Sequence, residues 1–200
     1  MLARYVFYVT VLLGVVFYIA VLYFERPTVD ESLFREAELY CLNQQWNDAR
    51  AALRAVLREN PYHPGAHFYL GRAYMFGSDF RPIMAEGEFL TALSLFRKQN
   101  RQSGIERFTP KYFEMMCYIE AAKANLIQID YYLSTGAPLA ALQNLVQDSF
   151  FYAEQAQKIS PNAPEVRDIM AILGQMRPRL ENAPRQSPAD SVVLTPEMTV

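Results

Sequence analysis

No charged residue interrupts the chain from Tyr5 to Phe24, whereas from Asp30 onward apolar positions recur every three or four residues between charged ones. The uniform run predicts one helix: about 20 residues at ~1.5 Å rise span roughly 30 Å, the depth of a bilayer's hydrocarbon core. Tyr5, Phe7 and Tyr8 lie at one end of it and Phe17, Tyr18, Tyr23 and Phe24 toward the other, as interfacial aromatic belts would. A cleaved leader and a buried core helix are the rival readings. The bulk of Val21 to Phe24 beyond Ala20 and the length of the run favour an uncleaved transmembrane anchor.

In the periodic part, Leu33, Ala37 and Tyr40 mark one helical face and Trp46, Ala49, Leu53, Val56 and Leu57 mark the next. Thr28 followed by Glu31 has the form of a capping box, and Asn60-Pro61 is a stop. Residues 30–60 are therefore expected to form an antiparallel helix pair. Leu33, Glu36, Ala37, Tyr40 and Trp46 are followed, 34 residues later, by His67, Leu70, Gly71, Tyr74 and Phe80, which makes the pair a repeating unit. The stretch RKQNRQSGIERFTP reads as a polar, solvated connector. Thr109-Pro110 opens a long helix to about Leu133, and a second runs from Pro138 to about Ile159. PEVRDIMAILGQM then restarts the pattern as a closing helix, because a terminal repeat must otherwise expose its apolar face. The proline-rich end from Glu181 has no helical period.

This pattern resembles the tetratricopeptide repeat (TPR) family, in which a large residue, a leucine, a small residue and an aromatic on the first helix meet alanines and a closing proline on the second. Leu33, Ala37, Tyr40, Trp46, Ala49, Leu53 and Pro61 match; Glu36 and Val56 depart. In the next unit Leu70, Gly71, Tyr74 and Phe80 match, Pro82-Ile83 disturbs the second helix, and Ala92-Leu93 resumes the motif two residues late. The third unit takes Phe113 and Cys117 as its large and small residues. The resemblance implies an all-α, TPR-like solenoid of antiparallel pairs. With the leader and the tail it divides the chain into a transmembrane anchor (1–26), a repeat domain (28–178) and a disordered tail (179–200).

It also implies a protein-binding groove along the first helices of the pairs. Phe34, Glu38, Cys41 and Leu42 would line it in the first unit, Phe68, Arg72, Met75 and Phe76 in the second, and Lys111 and Tyr118, with Ala121, in the third. Packing of some of these side chains against the chain's own segments is the competing reading. The clamp with which family members grip acidic chaperone tails would fall on Phe34, Glu38, Tyr69, Lys111 and Met115. Only Lys111 suits it, and Glu38 would repel a carboxylate.

Composition removes alternatives. The chain has 200 residues, a net charge of −2, two cysteines and two histidines, so neither a nucleic-acid partner nor a framework of disulfides is expected. Cys41 and Cys117 read as small apolar packing residues. His63 and His67 lie four apart but are separated by Pro64 and Gly65, which suits a turn and a packed helix start better than a metal. Glu36 with Glu38, and Glu86 with Glu88, point to different sides of a helix and read as solvated faces. No hydrolase elbow, phosphate loop or zinc motif is present. No catalysis, metal, cofactor or small-molecule substrate is expected.

The expectation is thus a single-pass membrane protein, in a bacterial envelope, whose repeat domain binds a membrane-associated protein and holds or assembles it there. Arg4 on one side of the anchor is matched by Arg26 on the other, and the short amino-terminal tail then favours a cytoplasmic N-terminus and a periplasmic or otherwise extracytoplasmic domain. The alternative is a structural subunit of a larger membrane complex. At the C-terminus, Met198-Thr199-Val200 and SVVLT weakly resemble a PDZ ligand and an added strand; an inert tail is the simpler expectation.

Overall fold

The computed structural model describes residues 13–16, 29–98, 105, 107–136 and 139–181. Among them every regular element is helical. The long helices are α1 (Val29–Leu42), α2 (Trp46–Glu59), α3 (Pro64–Phe76), α4 (Pro82–Lys98), α5 (Pro110–Ser134), α6 (Leu139–Ile159) and α7 (Pro164–Glu181). They stack as three pairs, α1/α2, α3/α4 and α5/α6, with α7 packed against α6 and α5 at the end. Antiparallel pairing is fixed at the ends of the first pair, where Asn60 Nδ2 after α2 donates to Asp30 Oδ2 at the start of α1, 2.7 Å.

Local chemistry sets the boundaries. His63 caps α3, its Nδ1 accepting from the Ala66 N–H at 3.0 Å, and Thr109 Oγ1 accepts from the Tyr112 N–H at the head of α5. A proline follows each cap, where its missing N–H costs nothing. Gly136, at φ +74°, turns the chain after α5. The α1–α2 turn instead places Gln44, at φ 59°, in the left-handed region.

Small residues let the helices approach and rings fill the space between them. A Cβ on Gly71 would stand 2.7 Å from the Phe89 ring, and Ala37, Ala49, Ala73, Ala85 and Ala92 are fully buried. A row of rings crosses all three pairs: Phe34 to Tyr69 at 5.8 Å, Phe68 to Phe89 at 5.6 Å, Phe68 to Phe113 at 5.3 Å and Phe113 to Phe96 at 5.2 Å.

Three local readings are corrected. Pro82 does not disturb the second helix of unit two; it begins it. The turn between α3 and α4 spans residues 77–81, against 43–45 between α1 and α2, so it is longer by two residues. The second helices therefore superimpose at a spacing of 36. Ala49, Leu53 and Val56 have Ala85, Phe89 and Ala92 as counterparts, all fully buried, and Phe80 lies exposed in the turn and is not the partner of Trp46. Nor is the connector wholly solvated, since Ile105 is buried and Phe108 is half-buried. The glutamates, finally, are not bare solvated faces: Glu38, Glu86 and Glu88 are only part-exposed and each has a partner. Glu36 alone stays exposed, accepting from Tyr40.

The first helix of the sequence reading falls almost entirely outside the described residues, of which 13–16 are helical. Among the described residues no helix is long and apolar enough to cross a membrane. Thr28 and the C-terminal segment 182–200 lie outside them as well.

Candidate protein-binding surface

The positions that the sequence assigns to a groove fall into three groups. Phe34, Cys41, Phe68, Met75 and Tyr118 are buried. Glu38 and Arg72 are half-buried, and Leu42, Phe76 and Lys111 are exposed. The burial has identifiable causes. Phe34 lies against the His63 ring at 4.6 Å and the Tyr69 ring. Phe68 is wedged among Tyr69, Phe89, Phe108 and Phe113. Tyr118 faces α4 and α6: its hydroxyl accepts from Arg97 Nη2 at 3.0 Å, and its ring lies 6.3 Å from that of Tyr152.

Part of the cover comes from the connector before α5. Phe108 N–H donates to the Ile105 carbonyl at 2.9 Å, closing a turn that sets Ile105 and Phe108 on the same side. Ile105 is 1% exposed, and the Phe108 ring lies 6.1 Å from Phe68 and 6.0 Å from Phe113. Between them Arg107 Nη2 reaches Glu38 Oε2 on α1, at 3.0 Å, while the Tyr69 hydroxyl approaches the other carboxylate oxygen at 3.4 Å. Apolar residues three apart inside a basic run were the sequence signal for this contact.

At the far end of α1 and α3 the surface stays open. Leu42 is 59% and Phe76 49% exposed. Trp46 packs against Phe76 with ring centroids 5.3 Å apart, and the Arg72 guanidinium lies over both rings, 5.9 Å from Trp46 and 5.8 Å from Phe76. Arg72 Nε is buried there without a hydrogen-bond partner among the described residues. This corner presents an apolar rim around a cation.

Neither cysteine is set up as a nucleophile. Burial pushes the Cys41 thiol up to about 11, with Arg72 pulling the other way, and burial pushes Cys117 well above its ordinary value. Both are free and buried, protonated thiols with little nucleophilic character. Burial, with help from Glu38, raises the Tyr69 phenol to about 12. Among the described residues no three His, Cys, Asp or Glu side chains are grouped to hold a metal. The two histidines serve different partners, since His67 Nδ1 meets Glu88 Oε2 at 2.6 Å and its Nε2 meets the Pro61 carbonyl at 2.9 Å.

A second open surface lies where the head of α4 meets the tail of α5. Phe80, Ile83, Met84, Tyr131 and Tyr132 line an apolar cleft of about 500 Å³.

No protein-family model matches the sequence, and no curated protein matches it significantly. Among solved structures, the first TPR of Spaghetti (RPAP3) bound to the HSP90 peptide SRMEEVD is similar at TM-score 0.54 and 17% identity, over 74% of this chain and 93% of that one. The Yersinia enterocolitica type III secretion chaperone SycD, in complex with a peptide of the translocator YopD, covers 76% of this chain and 91% of its own at 16% identity; its TM-score of 0.40 is too low to bear on the fold. The described residues have a TPR-like, all-helical fold.

Proposed function

We propose that this chain is a non-catalytic adaptor: its repeat domain, residues 28–178, docks a segment of another protein along the first helices of the pairs, and the apolar run at 5–24 tethers it to a membrane. The observation that supports docking most directly is the open corner. Phe76 stands exposed beside Arg72, and Leu42 is exposed at the corresponding end of α1, a combination of apolar contact area and a cation that recurs at protein interfaces. A chain of the same fold holds an HSP90 peptide, which supports a peptide as the ligand. Tethering would raise the effective concentration of a membrane-bound partner, so the docking site need bind only weakly. In this reading the domain lies on the extracytoplasmic side, the segment after 178 is a tail, and the partner is itself membrane-associated.

Phe68 is 2% exposed, so substituting it tests the core and not the surface. The informative variant is Leu42→Asp with Phe76→Asp in the full-length chain. Photo-crosslinking in the native membrane is expected to lose the partner adduct at least tenfold while helical content is unchanged, with protease accessibility of the same membranes reporting the side. Undiminished crosslinking would remove the corner from the reading.

A second reading, a fixed subunit of a membrane complex, is favoured by the cleft at Phe80, Ile83 and Tyr131. Aggregation of the domain without partners, cured by Ile83→Lys with Tyr131→Lys, would support it over the adaptor.

A further inference from the structure

We infer that the turn formed by Ile105, Arg107 and Phe108 is a built-in occupant of the groove, and that the partner segment which replaces it presents a basic residue directly followed by an aromatic one. The inference rests on the docking reading above and specifies its ligand.

Glu38 is the deciding residue. Its side chain is only 12% exposed, and among the described residues its ion-pair partner is Arg107; Arg72 lies over Trp46 and Phe76 instead. Removing the turn without replacement would cost the Glu38 carboxylate its Arg107 ion pair and leave it the long Tyr69 contact. It would also uncover the rings of Phe68 and Phe113 beside the seat of Phe108. A competing segment must therefore supply both a cation for Glu38 and a ring for Phe68 and Phe113, which is the chemistry that Arg107-Phe108 itself provides. An acidic segment would meet Glu38 with like charge.

The turn holds through a few side chains. Arg107 is 61% exposed and Phe108 only half-buried, so Ile105, 1% exposed, is the anchor that displacement must extract.

The test uses the full-length chain in detergent and two labelled synthetic peptides, SGIERFTP and the same sequence with glutamate in place of the arginine. Their binding is measured by fluorescence anisotropy to the parent chain and to a variant with Ile105→Ser and Phe108→Ser. The expected result is at least tenfold tighter binding of SGIERFTP to the variant than to the parent, at least tenfold weaker binding of the glutamate peptide, and loss of that discrimination on adding Glu38→Gln. Equal affinity of parent and variant, or no preference between the peptides, overturns the inference. If the double variant loses helicity, Arg107→Glu replaces it with the same expectations, its side chain being mostly solvated. No cellular partner enters this assay. A partner adduct formed by the parent chain alongside absent peptide binding sinks the occupant and leaves the adaptor standing; no adduct from the parent chain with peptide binding intact does the reverse.

Discussion

Between α1 and α4 the deepest positions are held by alanines, Gly71, Leu53 and phenylalanine rings, and the main buried polar group is the capping His63. Along α5 and α6 the same depth admits Asn125, Gln128, Glu120 and Ser149. These are satisfied locally. Glu86 Oε1 on α4 accepts from Asn125 Nδ2 at 3.1 Å and from the Tyr152 hydroxyl at 3.0 Å, Gln128 Nε2 donates to Asn125 Oδ1 at 3.1 Å, and Lys123 pairs with Glu120 at 2.9 Å. The interior of the first two pairs is filled by shape, with their cross-helix bonds nearer the surface, as between Asn60 and Asp30 and between Arg50 and Asp79, whereas bonds to buried amides join ring packing in fixing how the third sits on the second. A cavity left by a truncated ring is closed only in part by its neighbours' adjustment; a buried donor without its acceptor keeps its desolvation cost.

The largest effect should come from the shape-packed half. Phe89→Ala removes the ring that Gly71 accommodates and is expected to cost about 3–5 kcal/mol in urea unfolding. Gly71→Ala alone should cost about 1–3 kcal/mol by overpacking. Because the two share one contact, the double variant should be markedly less destabilised than their sum; strict additivity would mean that the close approach does not matter.

In the bonded half, Asn125→Ala strips Glu86 of one donor and Gln128 of its acceptor, at roughly 2–3 kcal/mol. Glu86→Gln, which still accepts from both groups, should cost about 1 kcal/mol. Equal costs for the two would show that charge, and not hydrogen bonding, holds the third pair.

A smaller effect separates the halves by pH. Both partners of His67, the Glu88 carboxylate and the Pro61 carbonyl, accept protons, so only the imidazolium satisfies both. Burial opposes that charge, but the Glu88 and Pro61 hydrogen bonds outweigh it and raise the pKa. The contribution is therefore complete below the ordinary histidine value of about 6.5 and is lost as pH rises through the raised folded value. Unfolding profiles should show this loss, about 1 kcal/mol, and His67→Gln should flatten it. The smallest change is a gain: Gln44→Gly relieves a left-handed residue at φ 59° and should stabilise by about 0.5–1 kcal/mol.

Most of the helix order was legible because its punctuation is local. Thr109-Pro110 opens α5 and the small–aromatic spacing of Ala37, Tyr40, Gly71 and Tyr74 specifies close-packed pairs. The two-residue slip is visible at Ala92-Leu93, but its place in the turn at 77–81 is not, since sequence spacing does not say whether extra residues lengthen a turn or bend a helix. The surface was less readable. Helical periodicity identifies which side of α3 Phe68 occupies, but not that a turn some 40 residues onward covers it. Likewise Glu86 and Glu88 look solvated within their own helix, and only the packing of α3, α5 and α6 supplies their partners.

The row of rings from Phe34 through Phe68 to Phe113 and Phe96 runs across the boundaries where stacked repeats usually part. Pulled by its two ends, such a domain should yield in one rupture and not peel away pair by pair.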